Sequence, residues 1–378
     1  MRIGIDARLI YYQRAGIASY TLGLLQGLAD LGTAHEYLVL QSRKDREALP
    51  LPANFRRRSL WTPCHHRFER QALAVELLGL GLDVLHSPDF IPPARFLGHR
   101  RTVITVHDLA YLKFPDVLTP ESQRYYGQIG PAVEEADAVI AVSENTKRDL
   151  MALLDAPEDK IVVIPEAPDA EYQPLGDSPA IASTLARYQL TRQYFLFVGT
   201  IEPKKNLKTL IESYARFRKI DRSSNTLPDL VVAGRKGWLY ADVLRLVDEL
   251  DLKRYVRFLG PVPRSDLPML YNAALALTYP SIYEGFGLPV LEAMACGTPV
   301  ITSNVSSLPE VAGDAALSVD PRDVDALTQA LNRIWTSPEL RTELRRKGLA
   351  RARLFSWEKT ARATLDVYER VVRDRTLR

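Results

Sequence analysis

PEAPDAEYQPLGDSP, residues 165–179, is the longest interruption in an otherwise regular chain. Pro165, Pro168, Pro174 and Pro179 each fix φ and remove a backbone donor, and no apolar residue recurs at helix or strand spacing between them. An extended connection is expected here, dividing 378 residues into halves of similar size. Outward from it, short β-rich runs alternate with longer helical patterns. Before the break, strands are expected at Ile3–Ala7, Tyr37–Leu40, Asp83–His86, Thr102–His107, Ala138–Val142 and Ile161–Ile164. After it they are expected at Tyr194–Gly199, Leu230–Gly234, Val256–Gly260, Ala274–Thr278 and Pro299–Thr302. Several are near-continuous apolar runs, as parallel strands covered on both faces require. Between them, stretches such as Ala18–Leu31 and Leu207–Arg218 repeat apolar residues at three and four. The alternation predicts an α/β chain of two Rossmann-like, doubly wound parallel-sheet domains facing each other across a cleft. The expected division is residues 1–170, a linker over 171–192, and 193–356, followed by the amphipathic pattern of Trp357–Val372.

Composition narrows the function classes. With 46% hydrophobic and 25% charged residues, the chain is not disordered and fills two cores. Lys and Arg number 49 against 46 Asp and Glu, a net +3 that points away from nucleic acid. Cys64 and Cys296 are the only cysteines, so no disulfide framework is expected. Met1-Arg2-Ile3-Gly4-Ile5-Asp6 has no apolar signal-peptide core, and nowhere do 18 apolar residues follow one another. A soluble, cytoplasmic protein is expected. Arg43 to Arg101 departs from the even charge, with eleven Arg and Lys against six Asp and Glu beside an apolar pattern at Phe68–Leu82. The bland reading is a solvated basic face. The sharper one is peripheral contact with the anionic inner face of the cell membrane.

The densest chemistry lies in PSIYEGFGLPVLEAMACGTP, residues 280–299. Gly285 and Gly287 make a turn after a strand, and Pro289 suits the first position of a helix. The amides of Leu288, Val290 and Leu291 would then point out of the helix start, forming an anion site suited to a diphosphate. Glu284 and Glu292 frame the turn. In a continuous helix they would stand about 12 Å apart along the axis. That exceeds the roughly 5–9.5 Å of paired glycosidase carboxylates. They are read as two contacts on one ligand.

This segment resembles the Glu-x7-Glu motif of family-four glycosyltransferases, and the resemblance runs from the first strand to Phe355-Ser356-Trp357-Glu358. It implies the GT-B fold and a retaining transferase that uses a nucleoside-diphosphate sugar as co-substrate, with no further cofactor. It places Glu284 on hydroxyls of the donor sugar and Glu292 on the nucleotide ribose, with Phe286, Gly287, Leu288 and Val290 along the same ligand. It also implies that the helix of residues 357–378 returns to the N-terminal domain.

The loop Gly199-Thr200-Ile201-Glu202-Pro203-Lys204-Lys205-Asn206 follows the first strand of the second half, where doubly wound sheets bind ligands. Lys205 is expected to neutralise the departing diphosphate. Thr200 stands in the same site where many relatives carry Arg, which leaves that role to Lys205 and the helix amides. His107-Asp108 ends an apolar strand, and the resemblance implies a donor-sugar contact for His107. Arg14-Ala15-Gly16-Ile17 resembles the family's glycine loop near the donor phosphates, with Gly16 retained. Arg235 and Val262 match regions near the nucleotide base. No metal is expected: Cys64-His65-His66 with Glu69 lacks a second ligand cluster, and Asp323 and Ser143 read as helix caps.

These readings combine into a retaining hexosyltransferase, with mannose favoured and Glu284, His107 and Lys205 as its catalytic residues. The acceptor is expected to be a glycan or lipid-linked sugar in surface polysaccharide or glycolipid synthesis. No obvious carboxylate opposes Glu284 as a nucleophile, and the front-face route that the resemblance implies is expected, the leaving phosphate assisting acceptor deprotonation. Two rivals remain, a nucleotide-sugar epimerase of the same fold and a non-catalytic nucleotide-sugar-binding regulatory protein.

Overall fold

The computed structural model of the chain describes residues 1–12, 16–94, 99–114, 120–191, 193–220, 227–237 and 240–374. Seven parallel strands form the first sheet: β1 (Arg2–Asp6), β2 (Glu36–Ser42), β3 (Phe55–Leu60), β4 (Leu82–Ser87), β5 (His99–Val106), β6 (Ala138–Ala141) and β7 (Ile161–Val163). Six form the second: β8 (Phe195–Val198), β9 (Leu230–Ala233), β10 (Val256–Gly260), β11 (Ala276–Tyr279), β12 (Val300–Ser303) and β13 (Leu317–Val319). Their orders are β3-β2-β1-β4-β5-β6-β7 and β10-β9-β8-β11-β12-β13. Each sheet grows to one side of its first strand and then returns to the other. The reversals fall between β1 and β4 and between β8 and β11, and such points are where open α/β sheets hold ligands.

Two strands escape the apolar-run criterion, and both are sheet edges. β3 is FRRRSL, with Arg56, Ser59 and other positions outside the core while Phe55 and Leu60 are buried. β13 is only three residues long. β3 pairs on one side only and carries charge that blocks further pairing. The Arg56-Arg57-Arg58 run is thus part of a strand.

The chain divides into two units, Met1–Ala167 with Ser356–Arg378, and Pro168–Phe355. The expected linker over 171–192 needs correction. Those of its residues that are described belong to the second unit and include a helix, Pro179–Arg187. Ser178 Oγ accepts from Ala180 N, Pro179 sits in the first turn, and Ile181, Thr184 and Leu185 are buried at helical spacing. Arg187 and Tyr188 then both bond Asp266, at 2.6 and 2.8 Å. The same proline that read as a breaker is a helix starter here.

The helix Trp357–Arg373 packs against the helix Gly16–Asp30 in the first unit. A Cβ at Gly23 would stand 2.1 Å from the Trp357 ring, and one at Gly27 would stand 2.5 Å from the Trp357 carbonyl oxygen. Glycine at both positions is what lets the two helices approach. Leu24, Leu28, Val367 and Val371 join Ile3, Ile5, Val84 and Val103 in one core. Each such side chain contributes about 1.5–3 kcal/mol on burial, so this seam holds the last helix in place. Residues 375–378 of that segment, like Arg14 and Ala15, lie outside the described residues. Among the described residues no helix is long and apolar enough to cross a membrane.

Candidate active site

In the second unit the loops leaving β8 and β11 are tied together at the sheet reversal. Ile282 N donates to Lys204 O at 2.8 Å. Asn206 adopts the left-handed region at φ 57°, which asparagine tolerates well. Its side-chain amide donates to Pro280 O (3.1 Å) and Pro321 O (2.6 Å), while its Oδ1 accepts from Thr209 Oγ1 (2.7 Å). One buried side chain therefore joins three loops. Asn206→Ala strips two buried carbonyls of a donor and removes the residue suited to that backbone. Urea unfolding should show a loss of about 2–4 kcal/mol, and a loss below about 0.5 kcal/mol would show that the junction is held by something else.

That junction places Lys205 against Glu284. Lys205 Nζ donates to both carboxylate oxygens, at 2.6 and 2.8 Å, and to Tyr279 Oη at 2.8 Å. Glu284 is buried. Burial alone would raise its carboxyl, but the charges of Lys205 and Lys204 and the bond from Lys205 outweigh it and hold the group below its ordinary range. Glu284 is an anion. Tyr279 is held far above its ordinary value by burial and by the adjacent carboxylate, so its phenol stays neutral.

The turn after Glu284 is clamped from the next strand. Ser306 Oγ donates to Glu284 O (2.6 Å) and accepts from Glu284 N (3.0 Å), and Ser307 Oγ donates to Phe286 O at 2.7 Å. Gly287, at φ 114°, opens the helix Leu288–Cys296. Two expectations are corrected here. Pro289 takes the second helical position, and Val290 N already donates to Gly287 O at 3.0 Å, so it is not a spare amide. Phe286 is buried edge-on against Phe355, with ring centroids 5.9 Å apart. Leu288 is half-buried at the helix start.

Glu292, one turn into the helix, accepts from Tyr271 Oη at 2.9 Å. Burial and Glu292 together hold the Tyr172 and Tyr271 phenols far above their ordinary values. Thr200 is half-buried on the Lys205 loop, Arg235 is exposed while its carbonyl accepts from Ile201 N (2.9 Å), and Val262 is half-buried after β10.

The first unit carries His107 and Gly16. Gly16 begins its helix with open space where a Cβ would stand. His107 Nδ1 lies 2.8 Å from Glu166 Oε1, and Nε2 lies 2.9 Å from Pro88 O. Both ring nitrogens are engaged within the unit. At the β1/β4 reversal, Arg8 is buried and bonds Asp6, Glu69 (2.8 Å) and Thr62 O (2.9 Å). Cys64 lines a small cavity beside them, its thiol pushed up by burial. Ser143 and Asp323 cap helices, accepting from Thr146 N and Ala326 N. Among the described residues no three His, Cys, Asp or Glu side chains converge as a metal site.

The structure thus brings together Lys205, Glu284 and their loops in the second unit, with Glu292 one turn into the helix that follows the Glu284 turn. Sequence reading missed Tyr279, Ser306, Ser307 and Tyr271, which hold those groups, and Glu166, which holds His107. The serines carried a signal, a hydroxyl pair three residues past the end of β12. Glu166 carried none, because it lies in the proline-rich interruption.

Comparison with known proteins follows the same outline. Residues 14–172 match the family described as Glycosyltransferase Family 4, and residues 187–351 match that described as Glycosyl transferases group 1. Over 386 residues the chain is 32% identical to O-antigen chain mannosyltransferase B of Escherichia coli, covering 98% of this chain and 100% of that protein. It is 30% identical over 276 residues to serotype-specific mannosyltransferase WbdA of Escherichia coli, covering 72% of this chain and 34% of that one. Sucrose-phosphate synthase from Thermosynechococcus elongatus shares the fold, with a TM-score of 0.78 and 22% identity over 98% of both chains.

Proposed function

The chain belongs to the family-four glycosyltransferases, and from that premise we propose that it moves mannose from a nucleoside-diphosphate donor to a hydroxyl of a glycan or lipid-linked acceptor. The Lys205–Glu284 pair at the β8/β11 reversal carries this reading. An ammonium suits the diphosphate, and a carboxylate held ionised beside it suits sugar hydroxyls. In this reading the donor phosphates exchange for Glu284 on Lys205, and the released carboxylate oxygens accept from the sugar. As the sugar–oxygen bond breaks, charge grows on the leaving diphosphate and Lys205 stabilises it. That oxygen then takes the acceptor proton on the same face, since among the described residues no second carboxylate bonds Lys205 beside Glu284 as a nucleophile. Mannose is favoured because the two Escherichia coli relatives are named as mannosyltransferases.

A donor panel tests this. GDP-mannose, UDP-glucose, UDP-galactose and GDP-fucose are offered with a mannose-terminated oligosaccharide, and nucleoside-diphosphate release is measured. GDP-mannose should be turned over fastest and only with acceptor present. Sugar isomerisation without acceptor would mean an epimerase. Tight donor binding with no turnover across acceptors would mean a regulatory protein.

A further inference from the structure

We infer that Glu166 is a positioning residue that keeps His107 as an imidazolium, and that glycosyl transfer depends on this charge. The geometry requires it. Nδ1 faces a carboxylate oxygen at 2.8 Å and Nε2 faces a carbonyl oxygen at 2.9 Å. A carbonyl accepts and never donates, and an ionised carboxylate does the same, so both ring nitrogens must carry protons. A neutral ring satisfies only one of the two contacts.

The surroundings agree from each side. Glu166 follows β7 and is buried. Asp89, after β4, adds a second negative charge toward the ring, itself bonded by Tyr125 Oη at 2.8 Å. Tyr20 packs edge-on against the His107 ring with centroids 4.8 Å apart. His86, on β4, is the neighbour of like type, and it is kept neutral: burial and the His107 charge push it down to about 3. Its own contacts fit that state, since Nδ1 meets Tyr368 Oη (2.6 Å) and Nε2 meets Thr105 Oγ1 (2.8 Å), both hydroxyls that donate or accept. One of two neighbouring histidines is charged and the other is not, and the carboxylate decides which. Burial opposes the His107 charge, but the Glu166 bond and charge outweigh it and hold the ring above its ordinary 6.5.

The last helix frames both ends of this arrangement. Thr360 Oγ1 donates to Pro165 O at 2.8 Å, fixing the residue before Glu166, while Tyr368 holds His86. Thr105 Oγ1 also meets Tyr20 Oη at 3.1 Å, which closes the set around the His107 ring. With both nitrogens spent, His107 presents charge rather than a spare hydrogen bond. It stands directly after β5, at the carboxyl end of a strand in the first sheet, where doubly wound sheets place their ligands. The dependence of transfer on that charge rests on the glycosyl-transfer reading, whereas the protonation state does not.

The test has two arms, both on the full chain labelled with 15N-histidine. In the first, His107 ring resonances, assigned by their loss in His107→Gln, are titrated from pH 5 to 10. Wild-type His107 should titrate above its ordinary 6.5, and Glu166→Gln should lower its midpoint by one pH unit or more. A wild-type midpoint at or below 6.5, or an unmoved midpoint in a folded Glu166→Gln, overturns the assignment. If Glu166→Gln does not fold, the wild-type titration decides alone, and a midpoint at or below 6.5 overturns it. In the second arm, kcat/KM for transfer is followed over the same range, and its alkaline limb should move with the His107 midpoint. A limb that stays put overturns the dependence of transfer on the charge. Absence of any transfer in the wild type would instead count against the function proposed, leaving the first arm to judge Glu166.

Discussion

Lys205→Ala is expected to lower kcat about 10²–10³-fold while raising the donor KM much less. The reason is differential. Intact donor already carries phosphate charge, but more accumulates on the diphosphate as the sugar–oxygen bond breaks, so a fixed ammonium gains most in the transition state. Thr200 offers no neighbouring charge to compensate, which places the loss in the upper half of that range. The structure adds a complication to this variant. Glu284 is buried and owes its low value to Lys205 first and Lys204 second, so in Lys205→Ala its carboxyl should rise towards its ordinary range. Combining Lys205→Ala with Glu284→Gln separates the effects: if the double variant loses no more than Lys205→Ala alone, the two groups act as one unit. Lys204→Ala is the control. Lys204 meets Glu202 at 3.7 Å, while its neighbour holds Glu284, so its loss should be mild. If both lysine variants stay within threefold of wild type, leaving-group stabilisation by this loop is wrong.

Why one lysine of the pair was legible and its partners were not has a physical cause. Lys205 and Glu284 sit on loops that directly follow continuous apolar strands, and the carboxyl ends of such strands are where a doubly wound sheet places its ligand. Strand order is not readable from sequence, yet the β8/β11 reversal brings these two loops together. Tyr279 and Ser306-Ser307 were hidden because nothing local separates a holding residue from a core residue. Tyr279 ends β11 and reads as one more buried aromatic until Lys205 is seen on its hydroxyl. Val290 failed for a different reason. Counting free amides at a helix start assumes an ideal first turn, but Gly287 at φ 114° turns its carbonyl back to accept from Val290. The edge strand β3 and the helix Pro179–Arg187 were missed because arginine and proline were weighed by type, without knowing which side of the element meets solvent, and β13 because three residues carry too little pattern. Glu166 is the sharpest case. Its carboxylate matters only because the last helix, almost two hundred residues later, fixes the preceding carbonyl.

Glu284→Gln is expected to lower transfer about 10–10²-fold, since a hydrogen bond to a charged acceptor is worth about 1.5–3 kcal/mol. The same change should leave free nucleoside-diphosphate affinity unchanged or improved. In the wild type Lys205 is held by the carboxylate at 2.6 and 2.8 Å, so phosphate must displace an internal anion. An amide there holds the ammonium less strongly and leaves it freer for the ligand. Stability carries an independent sign. The folded carboxyl is held below its ordinary 4.5, so its contribution is complete above that value and is lost as pH falls through the folded value. Wild type should therefore exceed Glu284→Gln in unfolding free energy at pH 7, and the gap should narrow as the medium is acidified towards pH 3. Isothermal titration with nucleoside diphosphate and urea unfolding at two pH values measure these outcomes. A rate loss matched by an equal loss of diphosphate affinity would place Glu284 on the phosphates instead of the sugar. A stability gap that widens on acidification would mean that Glu284 is not ionised in the folded protein, and the pairing with Lys205 would then be a neutral hydrogen bond with no anion to exchange.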